Sequence, residues 1–187
     1  MKQIYVNEFI KAAKESGFSG DFVNRKKLEE KFLGTGSPKF DRVKNTRKED
    51  LEIPEKWMQI IRKPDGSLKK VILYNNSLSA LLQEGEKMIA KMQNAFCVFK
   101  EHKDEIALLW RPHPLIQTTI SSMRPELWEE YKELVKQYQE EGWGIYDDTP
   151  ELDRAIVLSD AYYGNRSSVV QLCIKREMPI MIQNVNV

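Results

Sequence analysis

The chain has 187 residues, 29 Lys and Arg against 28 Asp and Glu, and 41% hydrophobic residues. That apolar content excludes wholesale disorder, and the length suits one domain, with or without a small appendage, that buries its core without disulfides. No window approaches the roughly 18 uncharged apolar residues of a membrane span, the start MKQIYVNEFIKAAKESG lacks a secretion-signal pattern, and a net charge of +1 offers no global field for nucleic acid.

The charge is uneven along the chain. Residues 1–70 carry 17 Lys and Arg with 11 Asp and Glu, and residues 71–187 carry 12 with 17. The change falls at Lys70, where the first strong strand pattern starts. This predicts a helical and loop lead-in over 1–70 and a compact domain over 71–187.

In the lead-in, Tyr5, Val6, Phe9, Ile10 and Ala13 repeat on one helical face, with Gly17 as a stop. NRKKLEEKFLG reads as a second short helix. GTGSPKFDRV reads as a loop, punctuated by Gly34, Gly36 and Pro38. Pro54 opens a short amphipathic helix carrying Trp57, Met58, Ile60 and Ile61. KPDGS is a turn.

From Lys70 the pattern becomes regular. KKVILYNN is a buried strand. Residues 79–103 form one long helix, with Leu82, Met88, Ile89, Met92, Phe96 and Phe99 inward. EIALLWRPHP is a second strand with a Pro-bracketed tip, and Pro114–Arg124 is a loop. ELWEEYKELVKQYQEEG is a helix that Gly142 stops, and WGIYDD is a third strand. TPELDRAIVLS is a helix with Thr149 as N-cap and Pro150 at its first position. DAYYGN is a fourth strand, RSSVVQLCIKRE a helix and MPIMIQNV a fifth strand. Strands alternating with helices predict an α/β, three-layer, Rossmann-like domain with a mainly parallel sheet. Both cysteines, Cys97 and Cys173, fall in helices among apolar neighbours. They are expected to be reduced and in or near the core of a cytoplasmic protein.

Ligands of such sheets bind beyond the C-terminal ends of the strands. The sites to examine are therefore 75–79, 111–114, 147–149, 164–168 and 183–184. Two of these tips carry chemistry. Trp110-Arg111-Pro112-His113-Pro114 holds an Arg-His pair on a backbone fixed by two prolines, which suits an anion. Tyr163-Gly164-Asn165-Arg166-Ser167-Ser168 puts a glycine turn, a cation and two hydroxyls at a helix start, an arrangement that holds phosphate. His102, among charges in EHKDE, reads as a solvated helix end, and Trp128, Tyr131 and Tyr138 as packing. The glycine fingerprints of dinucleotide oxidoreductases and NTPases are absent, as are a Gly-x-Ser-x-Gly elbow and paired histidines at metal spacing.

The run from Leu158 to Val170, containing Ser159-Asp160 and Asn165-Arg166-Ser167-Ser168, resembles the CDP-glycerol glycerophosphotransferase family of teichoic-acid-type polymerases. That family carries an SD…D-x-S-S segment ahead of the helix facing the nucleotide diphosphate. Arg111-Pro112-His113-Pro114 is similar to its R-x-HP segment, and Gly36-Ser37-Pro38-Lys39-Phe40-Asp41 to its G-x-P-x-x-D segment. The three motifs follow in order over roughly residues 30–185. The resemblance implies the C-terminal half of a GT-B transferase, whose N-terminal half carries an HG-x-P segment. This sequence has no such segment, and so it reads as a donor-binding half. The family's Asp is Asn165 here.

The resemblance also implies an activity: transfer of glycerol phosphate from CDP-glycerol to a cell-wall or surface polymer acceptor. His113 would be the catalytic group, neutralising charge as CMP leaves. Arg111, Asn165, Arg166, Ser167, Ser168, Asn75 and Ser77 would bind the donor. No metal and no cofactor beyond the nucleotide donor is expected, and no nucleic acid. Peripheral association with the inner face of the plasma membrane would come through parts outside this chain, and a homodimer through an open half-domain face is expected. The alternatives are a sugar-nucleotide glycosyltransferase half and a non-catalytic nucleotide-binding or interaction module.

Overall fold

The computed structural model describes residues 2–32 and 36–183. Contacts divide the chain into two units, residues 1–38 and 39–187. In the first, α1 (Lys2–Glu15) is followed by a single 3-10 turn and by α2 (Arg25–Lys31). The Asn24 side chain caps α2 by accepting from the Lys27 N–H at 3.2 Å, which satisfies a donor that the helix itself leaves free. Val6, Ala13 and Leu28 form its small core, and Phe9 meets Phe32 edge to face.

The second unit runs through α3 (Pro38–Asn45), α4 (Glu55–Ile61), β1 (Lys70–Asn75), α5 (Leu78–Glu84), α6 (Glu86–Glu101) and β2 (Ile106–Trp110). It continues through α7 (Ile116–Met123), α8 (Pro125–Glu141), β3 (Ile145–Tyr146), α9 (Leu152–Leu158), β4 (Ala161–Gly164), α10 (Ser168–Lys175) and β5 (Ile180–Ile182). The sheet order is β3-β2-β1-β4-β5, and every neighbouring pair is parallel. This is the Rossmann-like α/β arrangement that the sequence predicts.

Strand alternation sorts the core into two layers. Val71, Leu73, Ala107, Leu109, Ile145 and Tyr162 face a cluster built with α9, α10 and Val43, Trp57 and Ile61 of α3 and α4. Tyr74, Leu108 and Trp110 face the other way, into α5–α8, where Met88, Met92, Phe96, Tyr131 and Tyr138 pack. Phe96 lies 4.8 Å from both Trp110 and Tyr138, centroid to centroid. The connections β1–β2–β3 and β3–β4–β5 therefore cover opposite faces. The strand order reverses between β1 and β4, and in sheets of this kind the crevice for a ligand lies beyond the strand ends at that point.

Several expectations are corrected. The boundary at Lys70 gives way to one at 38/39, because α3 and α4 supply core side chains to the sheet. Arg176 fastens this region further, donating to the Val43 carbonyl at 2.7 Å and the Thr46 carbonyl at 3.0 Å. Pro38 starts a helix rather than punctuating a loop, since its missing N–H is harmless at a first helical position. Gly34, part of that predicted loop, lies outside the described residues, as does Asn184. The long helix over 79–103 is two helices, broken at Gly85, whose φ is +55°. The Arg124 guanidinium packs where a side chain at Gly85 would project. Pro114–Arg124 is mostly helical as α7, not a loop. Thr149 does not cap α9. Its N–H and hydroxyl both donate to Asp147 Oδ1, at 3.1 and 2.6 Å, and the residue ahead of α9 is Glu151.

The two cysteines differ. Cys173 is buried against the sheet, but Cys97 is exposed on α6, contrary to its predicted place near the core. Burial pushes the Cys173 thiol up to about 12, because removal from water penalises the thiolate. Iodoacetamide at pH 8 should therefore label Cys97 and spare Cys173 in the folded protein. Peptide mass analysis checks this, and equal labelling of the two would contradict the packing described.

Candidate functional site

The crevice is made by the ends of β1 and β4 and the first turn of α10. Its frame rests on Gly164. A Cβ at this position would sit deep inside the Asn75 carbonyl oxygen and 3.0 Å from that residue's N and C atoms. Glycine's lack of a side chain lets the two backbones meet, and its φ of +151° is one that other residues rarely adopt. The Asn165 N–H then donates to the Asn75 carbonyl at 3.0 Å.

Side chains extend this contact into a polar row across four strand ends. The Ser167 hydroxyl donates to Asn75 Oδ1 at 3.2 Å, and Asn75 Nδ2 donates to the Arg111 carbonyl at 2.8 Å. The Arg111 guanidinium donates to Asp147 Oδ2 and, at 2.6 Å, to the Thr149 carbonyl. Asn75, Arg111, Asp147 and Asn165 are all buried. Buried polar groups need such partners, or each costs the desolvation it suffered. On the opposite side of the crevice, Asn165 Oδ1 accepts from the Ser77 N–H at 2.9 Å, joining β4 to the start of α5. Tyr162 donates to the Asn165 carbonyl at 2.6 Å, and burial holds its phenol up to about 12.

The structure thus brings Asn75, Ser77, Asn165 and Ser167 together and sets Ser168 and Arg166 beside them. Their parts differ from those expected. Arg111 is committed to a buried ion pair, so its cation is not free to neutralise a ligand. Ser77 accepts from the Ala80 N–H at 3.1 Å and Ser167 from the Val169 N–H at 3.3 Å, so both are helix caps. Asn75 and Asn165 are struts. Ser168 and Arg166 are exposed, and Arg166 has no ion pair among the described residues. His113 is exposed one strand away, beyond β2. Its Nδ1 accepts from the Leu115 N–H at 3.2 Å, which leaves Nε2 to carry the proton of the neutral ring. No hydrogen bond joins it to the crevice among the described residues.

Three contributors lie within the strand tips that the sequence singles out, but the sequence assigned them no role. Asn76 is fully buried and accepts from Trp110 Nε1 at 2.8 Å. Its Nδ2 lies near the Tyr131 hydroxyl, but no well-formed hydrogen bond joins them, and among the described residues neither atom has another partner. Gln183 accepts from the Tyr74 hydroxyl at 3.1 Å. Asp147 neutralises Arg111. The signal was there in part: two consecutive asparagines directly after a fully apolar strand are hard to place unless they do structural work.

By fold the chain is an α/β protein of the Rossmann-like class, with its crevice at the point where the strand order reverses. No protein-family model matches the chain, and neither the curated proteins nor the solved structures provide a match. No group of three or more metal-ligating side chains occurs among the described residues. Nor is any described helix long and apolar enough to cross a membrane.

The ion pair is the testable part of this frame. Arg111→Ala leaves the Asp147 carboxylate buried without a counter-charge, which costs about 3–5 kcal/mol. Replacing both partners, as Arg111→Met with Asp147→Leu, should recover most of that loss. Urea unfolding midpoints measure both variants, and a single variant as stable as the parent would remove the pair from the frame.

Proposed function

We propose that the crevice between β1 and β4 binds the diphosphate of a nucleotide-activated donor. The donor we assign is CDP-glycerol, and the chain is then the donor-binding part of a glycerophosphotransferase acting on a cell-wall or surface polymer. The observation that carries the reading is the meeting of the Asn165–Ser168 turn with Asn75 and Ser77 at the switch point of a parallel sheet. Sheets of this kind hold phosphates there, on helix N-termini. In the first turn of α10 the Val169 N–H donates to the Ser167 hydroxyl and the Val170 N–H to the Ser167 carbonyl, which leaves the Ser168 N–H without a partner among the described residues. Ser168 adds an exposed hydroxyl and Arg166 a cation that is in no ion pair among the described residues. The motif resemblance supplies the identity of the donor.

The parts divide by exposure. Asn75, Ser77, Asn165, Ser167 and Arg111 hold the shape of the crevice and offer it no net charge. Arg166 and Ser168, the latter with its hydroxyl and its N–H, meet the diphosphate. His113, on the neighbouring β2 tip, is assigned the task of offsetting charge on the departing CMP through Nε2–H. The polymer acceptor approaches from outside the sheet unit.

Isothermal titration with CDP-glycerol, CDP and CMP tests the reading directly. CDP-glycerol and CDP should bind more tightly than CMP, and Ser168→Asp should weaken both by about ten-fold or more by setting a like charge against the diphosphate. An aspartate at a first helical position favours the helix, so that variant stays folded. No heat with any of the three at millimolar concentration, from folded protein, would remove the reading. A UDP-sugar that outcompetes CDP-glycerol would replace the donor. Binding without CMP release, with acceptor polymer present, would make the chain a binding module. His113→Ala should weaken CDP-glycerol binding, and an unchanged affinity would take His113 out of the site.

A further inference from the structure

The two faces of the sheet are not equally covered. One carries α9 on β1, α4 on β2 and α10 on β5, with α3 supplying Val43 to the same cluster. The other carries α5–α8, which pack on β1, β2 and β3. Over β4 and β5 that second face has no helix of the second unit among the described residues. A groove of about 800 Å³ lies there, with Ile72, Phe99 and Tyr163 in its lining and Val98 and Met181 at its edges. Val98 is 56% and Met181 66% exposed. Large apolar side chains so placed along one seam mark an interaction surface.

The groove's shape and charge specify its occupant. It follows α6 from Lys87 to Val98, three helical turns or about 16 Å. An added strand would pair with the edge of β5 and leave this length of the groove empty; a helix laid beside α6 fills it. Lys87 and Lys91, one turn apart, line the same groove, and no carboxylate does. Neither lysine is in an ion pair among the described residues. A second copy of the chain meeting this face across a two-fold axis would bring the lysines of both copies to one seam, which like charge opposes.

We propose that this groove seats an amphipathic helix of another polypeptide, with a Leu- or Met-rich stripe on the sheet and Glu or Asp along the margin facing Lys87 and Lys91. The helix supplies the part of the outer layer that α5–α8 leave open. The inference stands apart from the donor reading, because the groove lies on a face of the sheet and not at its C-terminal edge.

Two synthetic helical peptides test it, each about five turns long with the same Leu stripe, one flanked by Glu and one by Lys. Fluorescence anisotropy is read on the full chain. The Glu-flanked peptide should bind about ten-fold more tightly. The double variant Lys87→Glu, Lys91→Glu should reverse the preference, and Met181→Asp should abolish binding of both peptides. All three positions are at the surface, and an unchanged circular-dichroism spectrum checks the fold of each variant. Equal binding of the two peptides, binding of neither, or a preference indifferent to the lysine exchange would each overturn the proposal. So would a dimer in light scattering that Met181→Asp dissolves, since the occupant would then be a second copy.

Discussion

The approach of Gly164 to Asn75 sets the rest of the crevice. With the two backbones in contact, the Asn165 N–H reaches the Asn75 carbonyl, and the Asn75 side chain is left to serve Ser167 on one side and Arg111 on the other. A methyl group at residue 164 would push β4 from β1 and break the bonds of Asn165 and Ser167 to Asn75 together. The crevice is therefore fixed by a void where a side chain would be, and the hydrogen bonds follow from it.

The polar row explains why so few of the edge residues are free. Ser167, Asn75, Arg111 and Asp147 span the ends of β4, β1, β2 and the segment after β3, and each satisfies its neighbour. In a low-dielectric interior such a chain is stiff when complete and costly when broken. A ligand entering above it meets a floor that needs no reorganisation. What would face the proposed diphosphate is small: the N–H and hydroxyl of Ser168 and the Arg166 cation. Rigid floor and sparse exposed donors are complementary, because donors held in place bind an anion without first being ordered.

The sheet was legible in the sequence because its strands are apolar runs ended by polar tips, and fully buried parallel strands have that signature. The helices were less so. Pro38 and the prolines at 112 and 114 punctuate the sequence in the same way whether a helix or a loop follows. A single glycine, Gly85, split a helix whose apolar spacing runs unbroken through it, since only the packing of Arg124 shows that the chain turns there. At the edge, residue type pointed to the right tips but not to the right roles. Arg111 reads as an anion ligand until Asp147, 36 positions later, is seen against it. Cys97 sits between Phe96 and Val98, yet helical rotation turns Phe96 inward and carries Cys97 outward. For Gly85 and Arg111 the deciding partner is distant in sequence.

Asn165 shows how a change at one position can keep a frame and alter its charge. Its Oδ1 accepts from the Ser77 N–H, and an amide or a carboxylate oxygen performs that task equally. The residue is 6% exposed, so an ionised carboxylate here would sit buried, with the Ser77 amide as its donor and no cation bonded to it among the described residues. Arg111, the buried cation of the row, is already neutralised by Asp147. A carboxylate at 165 would thus leave a net negative charge beneath the crevice, whereas the amide leaves none. For an anionic ligand held by α10 and Arg166, the amide is the more favourable floor. The neutral residue makes the link between β4 and α5 and adds no charge that would oppose the proposed diphosphate.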